Sequence, residues 1–154
     1  MEYTVFERDF IVRTLKVIDQ YEECVMPRVL EPEQFEVTLL INCLLGLLIL
    51  PKERCYVNIP DEPINELDAW GLKAEYIINP GIGRSKDRLT LRQVIKDMRN
   101  SVAHFLIRVP GKEEKITHIE FSTDRTKFEA RIPVNCLRTF VTRLAESVQN
   151  TIPA

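Results

Sequence analysis

Arg99, Asn100 and His104 are the residues whose types and spacing can do chemistry. They lie in the run Arg99-Asn100-Ser101-Val102-Ala103-His104. A histidine, with an ordinary pKa of about 6.5, can take or give a proton near neutral pH. An arginine stays charged and can hold two oxygens of one phosphate at once. The asparagine amide adds a donor and an acceptor. Together these groups fit proton transfer beside a negatively charged oxygen group.

The element that must position them is the stretch Leu91 to Leu106, LRQVIKDMRNSVAHFL. Leu91, Val94, Ile95, Met98, Val102, Phe105 and Leu106 recur in steps of three and four, which predicts a helix with one face in a core. Thr90, followed three residues on by Gln93, is a capping box, so the helix should begin at Leu91. At about 100° per residue, with Arg99 at the origin, Arg92 and Lys96 fall within roughly 60°. Asn100 then lies at about 100°, Gln93 at about 120°, His104 at about 140°, and the apolar set centres near 280°. One side faces a core. The other runs from three cations through two amides to a histidine, with Asp97 at its far border.

The spacing of arginine, a polar residue, three residues and histidine resembles the R-x4-H motif of HEPN domains. In that family the motif sits on the last long helix of a small helical bundle. The words RNSVAHF, followed by a strand pair and a final helix, are similar to one prokaryotic HEPN subgroup. Many HEPN proteins are metal-independent RNases of toxin–antitoxin, anti-phage and RNA-processing systems. The resemblance therefore implies an endoribonuclease, with a toxin or defence role and a partner antitoxin or regulatory protein.

RNA can be cut without a metal because its own 2′-hydroxyl is the nucleophile. The protein must remove that proton, stabilise the charge at phosphorus and protonate the leaving 5′-oxygen. His104 would transfer the proton, Arg99 stabilise the phosphorane, and Asn100 orient the phosphate or His104. Arg92, Lys96, Arg88, Lys86 and Arg84 would hold the flanking backbone. Two residues five apart on a straight helix differ by about 140° and roughly 7.5 Å of rise, so one helix does not aim both at one atom. A distorted helix end narrows that gap. A two-fold dimer does so by pooling two Arg–His sets in one cleft. HEPN RNases are similar, with sites generally at a dimer interface, so a homodimer is expected.

Composition limits the alternatives. The chain has 154 residues, of which 45% are hydrophobic and 29% charged, as expected of one globular domain spanning 1–154. Net charge is −2, so any RNA contact needs a local basic patch. Arg84, Lys86, Arg88, Arg92, Lys96 and Arg99 supply one, against Asp87 and Asp97. The acidic balance, and the want of a legible helix-turn-helix, count against a DNA-binding regulator. Cys24, Cys43, Cys55 and Cys136 show no C-x-x-C spacing and there are two histidines, so no zinc site and no cofactor are expected. Cys24, Cys43 and Cys136 fall in helical patterns and read as buried thiols. Glu2, Glu7 and Asp9 interrupt the N-terminal stretch, unlike a secretory leader, and a reduced cytoplasmic protein is expected.

In chain order, Glu7 to Val25 reads as a first helix. Glu33 to Leu50 reads as a second, ended by Pro51. Its apolar core of about 14 residues is too short to span a bilayer, so a central buried helix is expected. Asn42 within it would need partners, either a neighbouring backbone group or the active site. Lys52 to Lys86 is the least legible part. Ile64 to Leu72 reads as a short helix with Trp70 as anchor and Gly71 near its end. The glycines of Asn79 to Lys86 either present backbone amides to an anion or form an ordinary surface turn. After the motif helix, Ile116 to Phe121 and Phe128 to Val134 read as a hairpin with one face inward. A final helix follows, with Asn135 as N-cap and Leu137, Phe140, Val141, Leu144 and Val148 inward.

The expected fold is mainly α: a HEPN-like up-and-down bundle of four main helices with a β-hairpin before the last. Two other functions compete with the RNase. One is a non-catalytic HEPN-type bundle that binds RNA, nucleotide or a protein partner. The other is a structural protein in which Arg99 and His104 pair with acids such as Asp97.

Overall fold

A computed structural model describes residues 6–28, 35–49, 59–112 and 115–150. The chain divides into two compact units, Met1–Asn58 with Val141–Ala154, and Ile59–Phe140.

In the first unit, α1 spans Phe6–Gln20 and runs on into a π-helical turn, Tyr21–Val25. Helix α2 spans Glu36–Ile49. Ile11 and Ile18 of α1 and Leu40, Cys43, Leu44 and Leu47 of α2 are buried, each set on one face at helical spacing. Gly46 admits the Phe10 ring, because a Cβ there would lie 2.4 Å from Phe10 Cζ. Asn42 and Thr38 are exposed. Helix α2 is therefore buried on one side and open on the other, and Asn42 needs no internal partner. Cys24 is exposed rather than buried, since it lies in the π-helical turn, where the earlier face no longer holds. Cys43 is buried, and burial pushes its thiol up to about 11. Cys55 lies outside the described residues.

The second unit holds the motif helix, α3, Leu91–Ala103, packed on an antiparallel sheet. The strands are β1 Ile77–Pro80, β2 Ile107–Arg108, β5 His118–Ser122 and β6 Phe128–Pro133, in the order β1-β6-β5-β2. Between β2 and β5, Gly111–Lys112 and Lys115–Ile116 form a two-stranded ribbon, β3 and β4. The expected hairpin is thus the centre of a four-stranded sheet, because both of its outer edges find short partners. Its register pairs Ile119 with Ile132 and Phe121 with Ala130. Those four and Phe128 form its buried face, as the alternation requires.

Helix α4, Val134–Gln149, begins in this unit. Asn135, the expected N-cap, lies inside the first turn as the second residue of the helix, and its Oδ1 accepts the Cys136 N–H at 3.0 Å. The Ile64 to Leu72 stretch is not one helix but two short 3-10 turns, Ile64–Glu66 and Asp68–Trp70. They end at Gly71, φ 71°, where a Cβ would lie 2.7 Å from the Cys136 carbonyl oxygen. Only glycine fits that left-handed turn pressed against α4. Trp70 is the expected anchor, its ring 6.5 Å from that of Phe140. Half-buried Cys136 bonds the Tyr76 hydroxyl at 3.2 Å, and that bond, with burial, pushes the phenol up to about 12. Among the described residues, no helix is long and apolar enough to cross a membrane.

Candidate functional site

Helix α3 starts where the capping box requires. The Gln93 N–H donates to Thr90 Oγ1 at 3.3 Å, and the Thr90 N–H donates to Gln93 Oε1 at 3.1 Å. Leu91, Val94, Ile95, Met98 and Val102 are buried. At about 1.5–3 kcal/mol each, these five side chains hold the helix on the sheet and fix which side faces out.

The outward side carries the candidate residues. Lys96, Arg99 and His104 are exposed and Asn100 is half-buried. Lys96, Asn100 and His104 follow one another at four-residue steps, a single ridge, with Arg99 beside it. Among the described residues, no hydrogen bond or ion pair engages the side chains of Lys96, Arg99, Asn100 or His104. Lys96 and Arg99 sit three apart, where like charges repel by about 0.2–0.5 kcal/mol. A bound phosphate would remove that repulsion. Phosphate near the negative end of a helix costs about 0.3–1 kcal/mol, and each exposed cation beside it offsets about as much.

The helix stops short of its expected end at Leu106. His104 is the C-cap, at φ −104° and ψ 10°, and its N–H donates to the Asn100 carbonyl at 3.1 Å. Phe105 is left-handed at φ 55°. Its N–H donates to the Val102 carbonyl at 3.1 Å, and the Leu106 N–H donates to the Ser101 carbonyl at 2.8 Å. These are the two bonds of a Schellman turn. His104 is thus the last residue on the helical ridge, one position before the chain turns away. The same turn sends Phe105, expected in the core face, out to solvent at 82% exposure. No glycine marks the stop, which is why the periodicity runs through it.

Ser101, inside the motif, locks this turn to the sheet. It is fully buried. Its hydroxyl donates to the Leu106 carbonyl at 2.9 Å and accepts the Ser122 N–H at 2.9 Å. The Ser122 hydroxyl also donates to the Leu106 carbonyl, at 3.1 Å. Sequence reasoning passed over Ser101. The only signal was a small hydroxyl residue on the buried side of an amphipathic helix. Ser101→Ala should cost about 1–2 kcal/mol, since its partners keep other bonds. That corresponds to a fall in Tm of roughly 2–8 °C for a chain of this size. A thermal melt checks it; an unchanged Tm would mean that the turn is held by its backbone bonds alone.

The remaining cations divide into two groups. Lys86, Arg88 and Lys96 are exposed, with no ion pair to any described residue. Arg84 and Arg92 are engaged within the protein. Arg92 donates to the Ile59 carbonyl at 2.8 Å and lies 3.7 Å from Asp61. Arg84 pairs with Asp97, which is 1% exposed and accepts a second bond from Thr126 Oγ1 at 2.9 Å. Asp97 is therefore a buried tie between α3, the 81–84 loop and the β5–β6 turn, and not a border residue. Among described partners it engages Arg84 and Thr126, not Arg99 or His104. Of its two readings, the loop around Gly81 takes the ordinary surface turn. Gly81 N–H donates to Asn79 Oδ1 at 2.9 Å, Ile82 N–H to the Thr126 carbonyl at 2.8 Å, and Arg84 N–H to the Gly81 carbonyl at 3.2 Å. Those amides are not aimed at a ligand.

Among the described residues, no group of three or more His, Cys, Asp or Glu is placed to hold a metal ion. Compared with known proteins, the chain matches one family model, described as HEPN pEK499 p136, over residues 1–153. No curated protein and no solved structure matches it.

Proposed function

The chain belongs to the HEPN pEK499 p136 family, and from that premise we propose that it is a metal-independent endoribonuclease acting through the 2′-hydroxyl of its substrate. The observation that carries this reading is at one helix end. There Arg99 and His104 stand exposed, without a described partner, beside a half-buried amide. A structural ion pair would have engaged them, yet the buried acid of the same helix is taken by Arg84.

In this reading His104 moves the proton between the 2′-hydroxyl and the leaving 5′-oxygen. Arg99 holds two equatorial oxygens of the phosphorane, and Asn100 orients the phosphate. Lys96, Lys86 and Arg88 track the backbone, while Arg84 and Arg92 add to the local field from inside their ion pairs. The helix order α1 to α4 is compatible with a HEPN-like up-and-down bundle of four main helices. Two chains pair so that two Arg–His sets share a cleft, as a homodimer in the cytoplasm. Control by a regulatory protein or antitoxin fits a nuclease that must be restrained in its own cell, as in defence systems.

The test is incubation of a mixed RNA panel with the protein in EDTA, with product ends read by mass spectrometry. Cleavage leaving 2′,3′-cyclic phosphate or 3′-phosphate ends is expected. A folded dimer that binds RNA without cutting any of the panel would favour a non-catalytic RNA-binding module instead.

A further inference from the structure

We propose that Phe105 is a stacking platform for the nucleobase beside the scissile phosphate, an inference that rests on the RNA reading above. Three observations carry it. Phe105 is 82% exposed, and no described ring or cation lies against it. It holds a left-handed backbone, φ 55°, at the helix position where glycine is ordinarily found. And it directly follows His104, the exposed C-cap residue.

An aromatic residue at such a turn gains nothing for the fold. Its strain is unfavourable and its apolar ring faces water. Strain kept at a rigid, exposed position points to use. The position is rigid because both neighbours are pinned. His104 N–H bonds the Asn100 carbonyl, and Leu106 is held through both its N–H and its carbonyl by Ser101 and Ser122. Phe105 therefore offers a ring with two torsions left to order, carried on a Cα about 3.8 Å from that of His104. A nucleotide whose phosphate lies between Arg99 and His104 carries its base within reach of such a ring. Stacking on an aromatic ring is sequence-tolerant, since every base has a flat face. The inferred partner is thus an unpaired nucleotide in single-stranded RNA, not a duplex.

The test compares wild type with Phe105→Ala, Phe105→Trp and Phe105→Gly. A fluorescein-labelled short single-stranded RNA measures binding, steady-state cleavage gives KM and kcat, and Tm and oligomeric state are followed in parallel. Phe105→Ala should weaken binding and raise KM about ten- to a hundredfold, with kcat changed less. Phe105→Trp should bind as wild type. Phe105→Gly should lose binding as alanine does while raising Tm, because it relieves the left-handed strain. An RNA with abasic positions should bind wild type and Phe105→Ala alike. Equal RNA binding by wild type and Phe105→Ala would overturn the inference while leaving the nuclease reading intact. Loss of the dimer in Phe105→Ala would also overturn it, marking a protein interface. RNA bound but not cut by wild type, with binding lost in Phe105→Ala, would uphold the platform and remove the nuclease. Wild type that binds no RNA would remove both.

Discussion

His104→Ala is expected to lower RNA cleavage by about 10²–10⁴-fold, the usual contribution of a positioned acid–base group, while leaving the fold intact. The second half follows from the geometry. The His104 side chain is exposed and engages no described partner, so its removal strands no buried polar atom. Its bond to Asn100 is made by the backbone N–H, which alanine keeps. The stability change should therefore stay within about 0.5 kcal/mol. Arg99→Ala should cost about 10²–10³-fold, and Arg99→Lys should rescue it only in part, because an ammonium cannot hold two oxygens in one plane. The two residues act on one phosphate, so the double variant should be little worse than the poorer single. Mixing the two inactive variants should recover activity that neither has alone if the cleft pools residues from two chains. Rates, Tm and the mixing experiment together decide the matter. Wild-type cleavage by His104→Ala would move the chemistry to another residue, and a collapse in Tm would mean that activity was lost through folding.

Arg84→Ala should be the most destabilising of the variants considered, by about 3–5 kcal/mol. It leaves Asp97 as a carboxylate only 1% exposed, held by the Thr126 hydroxyl alone among the described groups. For a chain of this size that lowers Tm by roughly 6–20 °C. Asp97→Ala should cost less, about 1–3 kcal/mol, because the Arg84 side chain is already a quarter exposed and can turn to water. Replacing both, as Arg84→Met with Asp97→Leu, should recover much of the loss, since the attraction across a buried pair offsets little more than its desolvation. Denaturant titration of the three variants gives the order. The same set tests what Arg84 is for. If RNA affinity falls in Arg84→Ala while Tm holds, the guanidinium belongs to the RNA surface. The expected result is a large fall in Tm with a smaller fall in affinity, since the pair ties the 81–84 loop and the β5–β6 turn to the motif helix and adds only its field to the RNA surface.

Where local sequence dictates the outcome, the reading from residues held. The capping box of Thr90 and Gln93 sets the start of α3 because both partners lie within one turn. The buried stripe from Leu91 to Val102, and the alternation at Ile119 and Phe121 and at Phe128, Ala130 and Ile132, were legible for the same reason. Helical and pleated periods are properties of neighbouring residues.

The sequence by itself determined the helix, its inward face, the strand pair and the types and spacing of Arg99, Asn100 and His104. Tertiary structure decided which polar groups stay free. Arg84 is one of six cations in the stretch until the fold brings it to Asp97, thirteen residues on. Strand β1 was invisible until Ile77 paired with Ala130, and β2 is two residues with no period to read. Asn42 and Cys24 looked buried because a hydrophobic run does not say which side of a helix is left open. Phe105 kept the helical period, but Ser101 and Ser122 close the chain onto the sheet one turn earlier and turn its ring outward. These outcomes are set by contacts between distant segments, whose free energy no local pattern contains.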